Sequence, residues 1–251
     1  MDTPDRDIPD TGQIVTLTFH RFDGLRARLW AFAMMGLARP AMARVPGIGF
    51  WKLCGSGTGV GFTPRPNLGV YAILATWPDA DTARAALTGG GILGRYRSMA
   101  SESWTVLLRP LSSRGAWSGK APFQPQADAG EGTALAALTR ATIRPSVLAR
   151  FWGRVPDISG VIGSNTSTMF KIGIGEVPWL HQVTFSIWPD TASMAAFART
   201  GPHAEAIRAV RAENWFSEEL YARFAIHSDM GSWNCVSPLA PNPSCLASEP
   251  L

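Results

Sequence analysis

Four histidines and three cysteines carry most of the unusual side-chain chemistry open to this chain of 251 residues. An imidazole can relay a proton or give iron one axial bond from a rigid element. His203 follows Gly201-Pro202, and proline fits the first turn of a helix. His203, Ile207 and Val210 then share one helix face at i, i+4 and i+7, a face that should turn toward a sheet. The plainer alternative is a helix-start residue hydrogen-bonded locally. His181 opens an alternating stretch, residues 181–188, which reads as a strand. It shares a face with Val183, Phe185 and Ile187, whereas Gln182, Thr184 and Ser186 share the other; a satisfied buried histidine is the alternative. His20 and His227 fall near strand ends and read as surface residues. Cys54 reads as a small core residue, because its surroundings lack the Phe-x-x-Gly-x-x-x-Cys-x-Gly spacing of thiolate-ligated oxygenases.

Other chemistries are excluded by their missing patterns. There is no Cys-x-x-Cys or His-Glu-x-x-His metal spacing and no Gly-x-Ser-x-Gly elbow. Gly55, Gly57, Gly59 and Gly61 follow a strand, but Pro64 and Pro66 come next where a phosphate loop needs a helix, so they form a hairpin loop. An odd, low cysteine count favours a reducing, cytoplasmic compartment. The net charge of +4 comes without a Lys/Arg run, which argues against nucleic acid. An anionic membrane or an acidic electron donor remains as a partner for that charge. Arg26, Arg28, Arg39 and Arg44 flank the apolar residues 29–38, either as the basic edges of an interfacial helix or as the solvated face of a buried one. That stretch is far shorter than the roughly 20 residues a bilayer span requires, so no crossing is expected. Residues 1–10 lack the basic and apolar regions of a signal peptide. Ten Trp and twelve Phe allow an apolar-walled cavity as well as a packed interior.

The elements that must position these residues come as a repeat. Arg44-Val45-Pro46 matches Arg154-Val155-Pro156, Trp77-Pro78-Asp79 matches Trp188-Pro189-Asp190, and Glu102-Ser103-Trp104 matches Glu213-Asn214-Trp215, at offsets of 110, 111 and 111. Phe50-Trp51-Lys52 resembles Met169-Phe170-Lys171 at an offset of 119, and the Gly-rich loop of the first half supplies the compensating deletion. Missing a repeat would mis-assign the fold. Strand patterns over 14–21, 49–54, 70–77 and 104–108 alternate with helical patterns over 25–44 and 82–100, broken at Gly89-Gly90-Gly91. The second half repeats the order with strands at 135–143, 169–174, 181–188 and 221–227 and helices at 147–155 and 192–211. This predicts an α+β chain of two tandem ferredoxin-like βαββαβ units, fused into a dimeric α/β-barrel-like domain. The units cover 13–110 and 133–230, joined by a linker at 111–132 and followed by a disordered Pro-rich tail at 231–251.

Several blocks resemble the spheroidene monooxygenase family. They are Phe22-Asp23-Gly24-Leu25-Arg26-Ala27-Arg28-Leu29-Trp30-Ala31-Phe32, the run from Gly49 to Gly59, Met99-Ala100-Ser101-Glu102-Ser103-Trp104, Phe170-Lys171-Ile172-Gly173-Ile174-Gly175-Glu176, and the run from His181 to Asp190. The resemblance covers roughly residues 13–226, and His20 departs from its pattern. It implies a haem-dependent ketolase of acyclic carotenoids that oxidises C2 of spheroidene or hydroxyspheroidene with O2 and reduced ferredoxin. Two hydroxylations would give a geminal diol that loses water to leave a ketone. The resemblance also implies an axial histidine, with His203 the first candidate and His181 the second. Arg140, Arg144 and Lys171 are candidates to pair with haem propionates, since cationic side chains match carboxylates. Lys171 and its repeat partner Lys52 read equally as strand-end surface charges. A cofactor-free monooxygenase of the antibiotic-biosynthesis kind and a non-catalytic haem or lipid carrier are the competing functions. A lipophilic substrate implies peripheral membrane contact, and a fused pair can still form a homo-oligomer.

Overall fold

Alternating apolar residues need a second apolar face to cover them, and here the strands find it by curling onto one another. A computed structural model describes residues 11–59, 63–126, 134–153, 168–199 and 215–240. The first strand, β1 (Thr11–Arg21), leads into α1 (Leu25–Leu37) and α2 (Arg39–Met42), then β2 (Trp51–Gly57) and β3 (Pro66–Asp79). The helices α3 (Ala80–Thr88) and α4 (Gly91–Met99) precede β4 (Glu102–Gly115). After β5 (Leu135–Ile143) comes a 3-10 turn (Pro145–Val147), followed by β6 (Phe170–Gly175), β7 (His181–Trp188), α5 (Thr191–Arg199) and β8 (Phe216–Gly231). The strands close into an antiparallel α+β barrel in the order β1-β3-β2-β6-β7-β5-β8-β4. Strands β1–β4 thus run β4-β1-β3-β2, and β5–β8 run β8-β5-β7-β6.

An eight-stranded barrel has an interior just wide enough for side chains to fill. Phe19 stacks on Trp104 at 5.7 Å, Trp104 meets Phe170 at 4.7 Å, and Phe170 meets Phe185 at 6.3 Å. Each large side chain buried this way contributes about 1.5–3 kcal/mol. The outer face of the first half carries Ile14, Thr16, Thr18 and His20 on β1 and Tyr71, Ile73, Ala75 and Trp77 on β3, all buried. The helices α1 and α3 pack on this face. Asp79 caps α3 by accepting from the Thr82 N–H at 2.7 Å, and Asp190 caps α5 by accepting from Ser193 at 2.6 Å. The repeated Trp-Pro-Asp is therefore a strand end followed by a helix cap.

Several elements differ from the sequence expectation. The helix expected over 25–44 splits at Ala38, because Pro40 can stand in a first turn but not in a helix interior. Strand β4 runs to Gly115, into the expected linker, because it pairs with β8 from Trp104↔Gly231 to Gly115↔Leu220. Pro110 is tolerated there at a register shift between Pro110 and Ser112. Residues 232–240, expected within a disordered tail, pack on the barrel end: Trp233 lies 6.0 Å from Phe19 and 4.6 Å from the Arg21 guanidinium. Trp233 also pairs with Val236, and Glu102 accepts from the Cys235 N–H at 2.8 Å. The prolines here punctuate turns of a packed segment; residues 241–251 lie outside the described residues.

His20 is a further correction, for it is buried under α4. Its Nδ1 is 2.8 Å from the Ser103 hydroxyl, and its ring stacks at 5.5 Å on Tyr96. His227 is half-buried, with Nε2 3.0 Å from Arg84. Burial, with help from Arg97, drives the His20 pKa from 6.5 down to about 3. Between those two values the unfolded chain binds a proton that the folded ring refuses, so stability falls as pH drops from 6.5 toward 3. The slope from this ring is about 1.4 kcal/mol per pH unit. Urea unfolding of wild type and His20→Asn at stepped pH tests this, and an equally steep loss in the variant would refute it.

Candidate functional site

The β6–β7 hairpin builds the most strongly charged part of the barrel interior. A Cβ on Gly175 would lie 2.1 Å from the His181 carbonyl oxygen, so glycine is required for this close approach. Glu176 and His181 flank the turn and converge, with Nδ1 3.5 Å from the carboxylate. Glu176 also receives Lys52 Nζ at 2.7 Å and the Trp117 indole N–H at 2.6 Å. Arg140, from β5, reaches Glu176 at 3.8 Å and bonds Glu218 of β8 directly. Glu218 in turn accepts from the Ser118 and Gly119 backbone N–H groups at 3.0 and 2.7 Å. Lys52 also donates to the Ser118 hydroxyl at 2.6 Å.

The electrostatics follow from this packing. Burial alone would raise the Glu218 carboxyl, but Gly119, Ser118 and Arg140 together hold it below the ordinary range. Burial pushes His181 down, with Arg140 and Lys52 adding to the effect and Glu176 opposing it. Its imidazole is therefore neutral at pH 7, and its buried Nδ1 makes no hydrogen bond. Burial pushes the Cys54 thiol far up, so it stays protonated and acts as a core residue.

A groove opens beside this cluster. It has a cavity of about 190 Å³ between α1, the β2–β3 hairpin and the β6–β7 turn. Phe32, Met35, Tyr71, Trp152 and Trp179 give apolar walls, and Glu176, His181 and Gln182 give polar ones. Ligand pockets for drug-sized molecules usually run about 300–1,000 Å³. The cavity suits one end of a slender apolar chain better than a broad ring.

Strand alternation separates the candidate residues. Arg140 and His181 point into the barrel with Leu138, Val183 and Phe185. Lys171 has the opposite parity and shares the outer face with its partner Ser186. Beyond Leu135 and Trp188, which are buried with Met194 of α5, that face is small and polar: Ala137 pairs with Ser186 and Thr139 with Thr184, and Thr184 pairs with Gly173. Ala137, Thr184 and Ser186 are half-exposed and Thr139 is exposed, where the first half buries every equivalent side chain on β1 and β3. Burial pushes the Lys171 ammonium pKa down. Arg144 is exposed just beyond β5, with its N–H on the Trp215 carbonyl at 2.9 Å. His203 lies outside the described residues. Lys171 and His181 thus stand on opposite sides of one sheet and cannot contact one planar group together. Arg140 is already engaged by two carboxylates.

Sequence reasoning missed Glu176 and Glu218 and underrated Lys52, which is a half-buried partner of Glu176 and no strand-end surface charge. Inward parity was the available signal: Glu176 continues Phe170, Ile172 and Ile174, and Glu218 precedes Leu220 and Ala222. Removing one partner of a buried ionic cluster leaves the others uncompensated. Glu176→Gln should lower stability by about 3 kcal/mol in urea unfolding. It should also move the His181 imidazole titration, followed by NMR, still lower. An unchanged or raised titration point would show that Glu176 does not act on His181.

No family model matches the chain. It is 52% identical to a spheroidene monooxygenase of Cereibacter sphaeroides over 229 residues, covering 90% of this chain and 71% of that protein. It is 48% identical to a spheroidene monooxygenase of Rhodobacter capsulatus over 230 residues, covering 90% and 95%. A spheroidene monooxygenase of Rubrivivax gelatinosus is 35% identical over 207 residues, covering 82% and 80%. Among solved structures, an aldoxime dehydratase shares the fold with TM-score 0.58 at 10% identity, covering 90% of this chain and 85% of that one. A second, solved with butyraldoxime, gives TM-score 0.56 at 11% identity, covering 88% and 81%. With identity of this order sustained across both halves of the barrel, the chain belongs to the spheroidene monooxygenase family.

Proposed function

We propose that this chain is a haem-dependent monooxygenase that introduces a C2 keto group into spheroidene or hydroxyspheroidene. The kinship to spheroidene monooxygenases along nearly the whole barrel carries this reading. The tandem ferredoxin-like reading of the fold belongs with it, supported by the matching strand orders of β1–β4 and β5–β8. Haem would supply the activation of O2, with electrons from reduced ferredoxin.

The outer face of β5–β7 fits a planar group. Gly173, Ala137, Thr139 and Thr184 present no bulky side chain, so a flat ring can approach the sheet closely. Lys171 on the same face would hold a propionate, since a cationic side chain matches a carboxylate. Arg140 and Arg144 are not proposed for that role, since one is engaged inside the barrel and the other is exposed past the strand. His203 is retained as the first axial candidate from its sequence context. His181, on the opposite face from Lys171, is the second.

The groove would take the polyene end. Its aromatic walls would pack against the polyene, and Gln182 lines it while sharing a strand face with Thr184 and Ser186. A chain lying in the groove would therefore point its terminus toward the small-residue face. Each hydroxylation inserts one oxygen atom of O2 at C2, and the other leaves as water after taking two electrons and two protons. The second gives a geminal diol, which loses water to the ketone.

Protein produced with a haem supply should show a Soret band and convert spheroidene to its 2-ketone with ferredoxin and O2. His203→Ala should lose the band and His181→Ala should keep it. Turnover without any Soret band would replace this reading with a cofactor-free monooxygenase, and a band without turnover would leave a haem carrier.

A further inference from the structure

Helix α1 is apolar on both sides. Its inner side packs Ala27, Trp30, Ala31 and Met34 on the first-half core. Its outer side presents Leu25, Leu29, Phe32 and Leu37, and Leu25, Phe32 and Leu37 are 73%, 62% and 70% exposed. Leu25, Leu29 and Phe32 follow helical spacing at i, i+4 and i+7 and form one stripe, and Leu37 lies to one side of it at the helix end. The exposed Arg26 and Arg28 flank this stripe as its basic edges. A helix with apolar residues on two opposite sides normally buries both, and nothing among the described residues covers the outer side of this one.

The stripe continues across the fold. Leu68 on the β2–β3 hairpin and Val177 and Trp179 in the β6–β7 turn are exposed large apolar residues. Together with Phe32 they rim the groove described above. The Trp179 indole N–H donates to the Pro64 carbonyl at 2.8 Å, which ties the turn to the hairpin and makes one continuous edge.

The exposed charge around this edge is mostly positive. From residue 24 to residue 78 the chain holds six cations and no acid: Arg26, Arg28, Arg39, Arg44, Lys52 and Arg65. Lys52 is spent on Glu176, and the five arginines are exposed. The acid next to the stripe is Asp23, before α1. Apolar side chains ringed by arginines match a surface with an acyl interior and anionic headgroups. Among the described residues no helix is long and apolar enough to cross a membrane, so contact would be at the interface.

We propose that α1, the β2–β3 hairpin and the β6–β7 turn dock this protein on an anionic lipid bilayer, with the groove mouth facing the acyl layer. The docking surface stands on exposure and charge alone. Its use, passage of a lipophilic substrate from bilayer to groove without crossing water, rests on the function proposed above.

Flotation with vesicles tests it, using the full chain and phosphatidylglycerol–phosphatidylcholine mixtures beside pure phosphatidylcholine. Wild type should float with the anionic vesicles and much less with the neutral ones, and 1 M salt, whose screening length is about 3 Å, should release much of it. Leu25→Gln/Leu29→Gln, at exposed positions that do not line the groove, should weaken binding at least roughly tenfold with an unchanged melting temperature. Arg26→Gln/Arg44→Gln should weaken binding to anionic vesicles only. Absence of flotation, or equal flotation of the leucine variant, overturns the proposal. So does a leucine variant that loses self-association in sedimentation while keeping vesicle binding, because the stripe would then be an interface between copies. Detergent-dispersed carotenoid should be oxidised equally by wild type and the leucine variant, and vesicle-embedded carotenoid more slowly by the variant. If neither protein oxidises carotenoid while flotation behaves as expected, the substrate reading fails and the docking surface stands.

Discussion

A closed barrel must satisfy the backbone of every strand edge, and this one does so through two unequal seams. Strands β4 and β8 pair over eleven residue positions. Strands β2 and β6 pair at only two, Gly55↔Gly175 and Ser56↔Ile174. Two rungs of a ladder are a weak closure. The Lys52–Glu176 ion pair lies beside that short seam, one partner from each half, and the Trp117 indole and Arg140 add to the same carboxylate. Buried ion pairs seldom add stability relative to apolar packing, but they specify which groups meet. Here they fix where the two halves touch when the backbone ladder cannot.

The shortness of that seam also makes the groove. Where β2 and β6 diverge, the hairpin after β2 and the turn after β6 are joined by the Trp179–Pro64 hydrogen bond, and apolar side chains line the space beside it. A longer ladder would close it. The polar cluster at its edge and the apolar mouth at its rim are thus consequences of one geometric feature. His181 gains its half-buried position from the same place, where Gly175 brings its backbone close, and burial, with Arg140 and Lys52, keeps its imidazole neutral against the pull of Glu176.

The two outer faces show how similar element orders diverge. On the first, Thr18, His20, Tyr71 and Trp77 are buried, and even an imidazole is held neutral there. On the second, Leu135 and Trp188 are likewise buried, with Met194, but the rest of the face carries Ala137, Thr139, Thr184 and Ser186. Large side chains pack helices tightly on the first face, whereas the small ones of the second are half-exposed or exposed among the described residues. The first half works as a rigid support, and the second provides the surface on which a flat group is proposed to rest.

Much of this was legible in the sequence. Alternation predicted β5 and β7 residue for residue, the Trp-Pro-Asp repeat marked two strand ends with their helix caps, and the offsets between repeats agree with the matching strand orders of β1–β4 and β5–β8. Parity along β7 already put His181 with Val183 and Phe185 and apart from Thr184. The length of β4 was not legible, because Arg109 to Gly115 is polar and interrupted by proline and becomes a strand only by pairing with β8. Neither was the burial of His20, which depends on α4 crossing a strand end, nor the packing of Trp233 over Phe19. The meeting of Lys52, Arg140, Glu176 and Glu218 needed the closed barrel, since these residues lie on four different strands or their ends. Local periodicity determines which way a side chain points from its own backbone. Which charges share a site depends on how distant strands register, and that is decided only when the barrel closes.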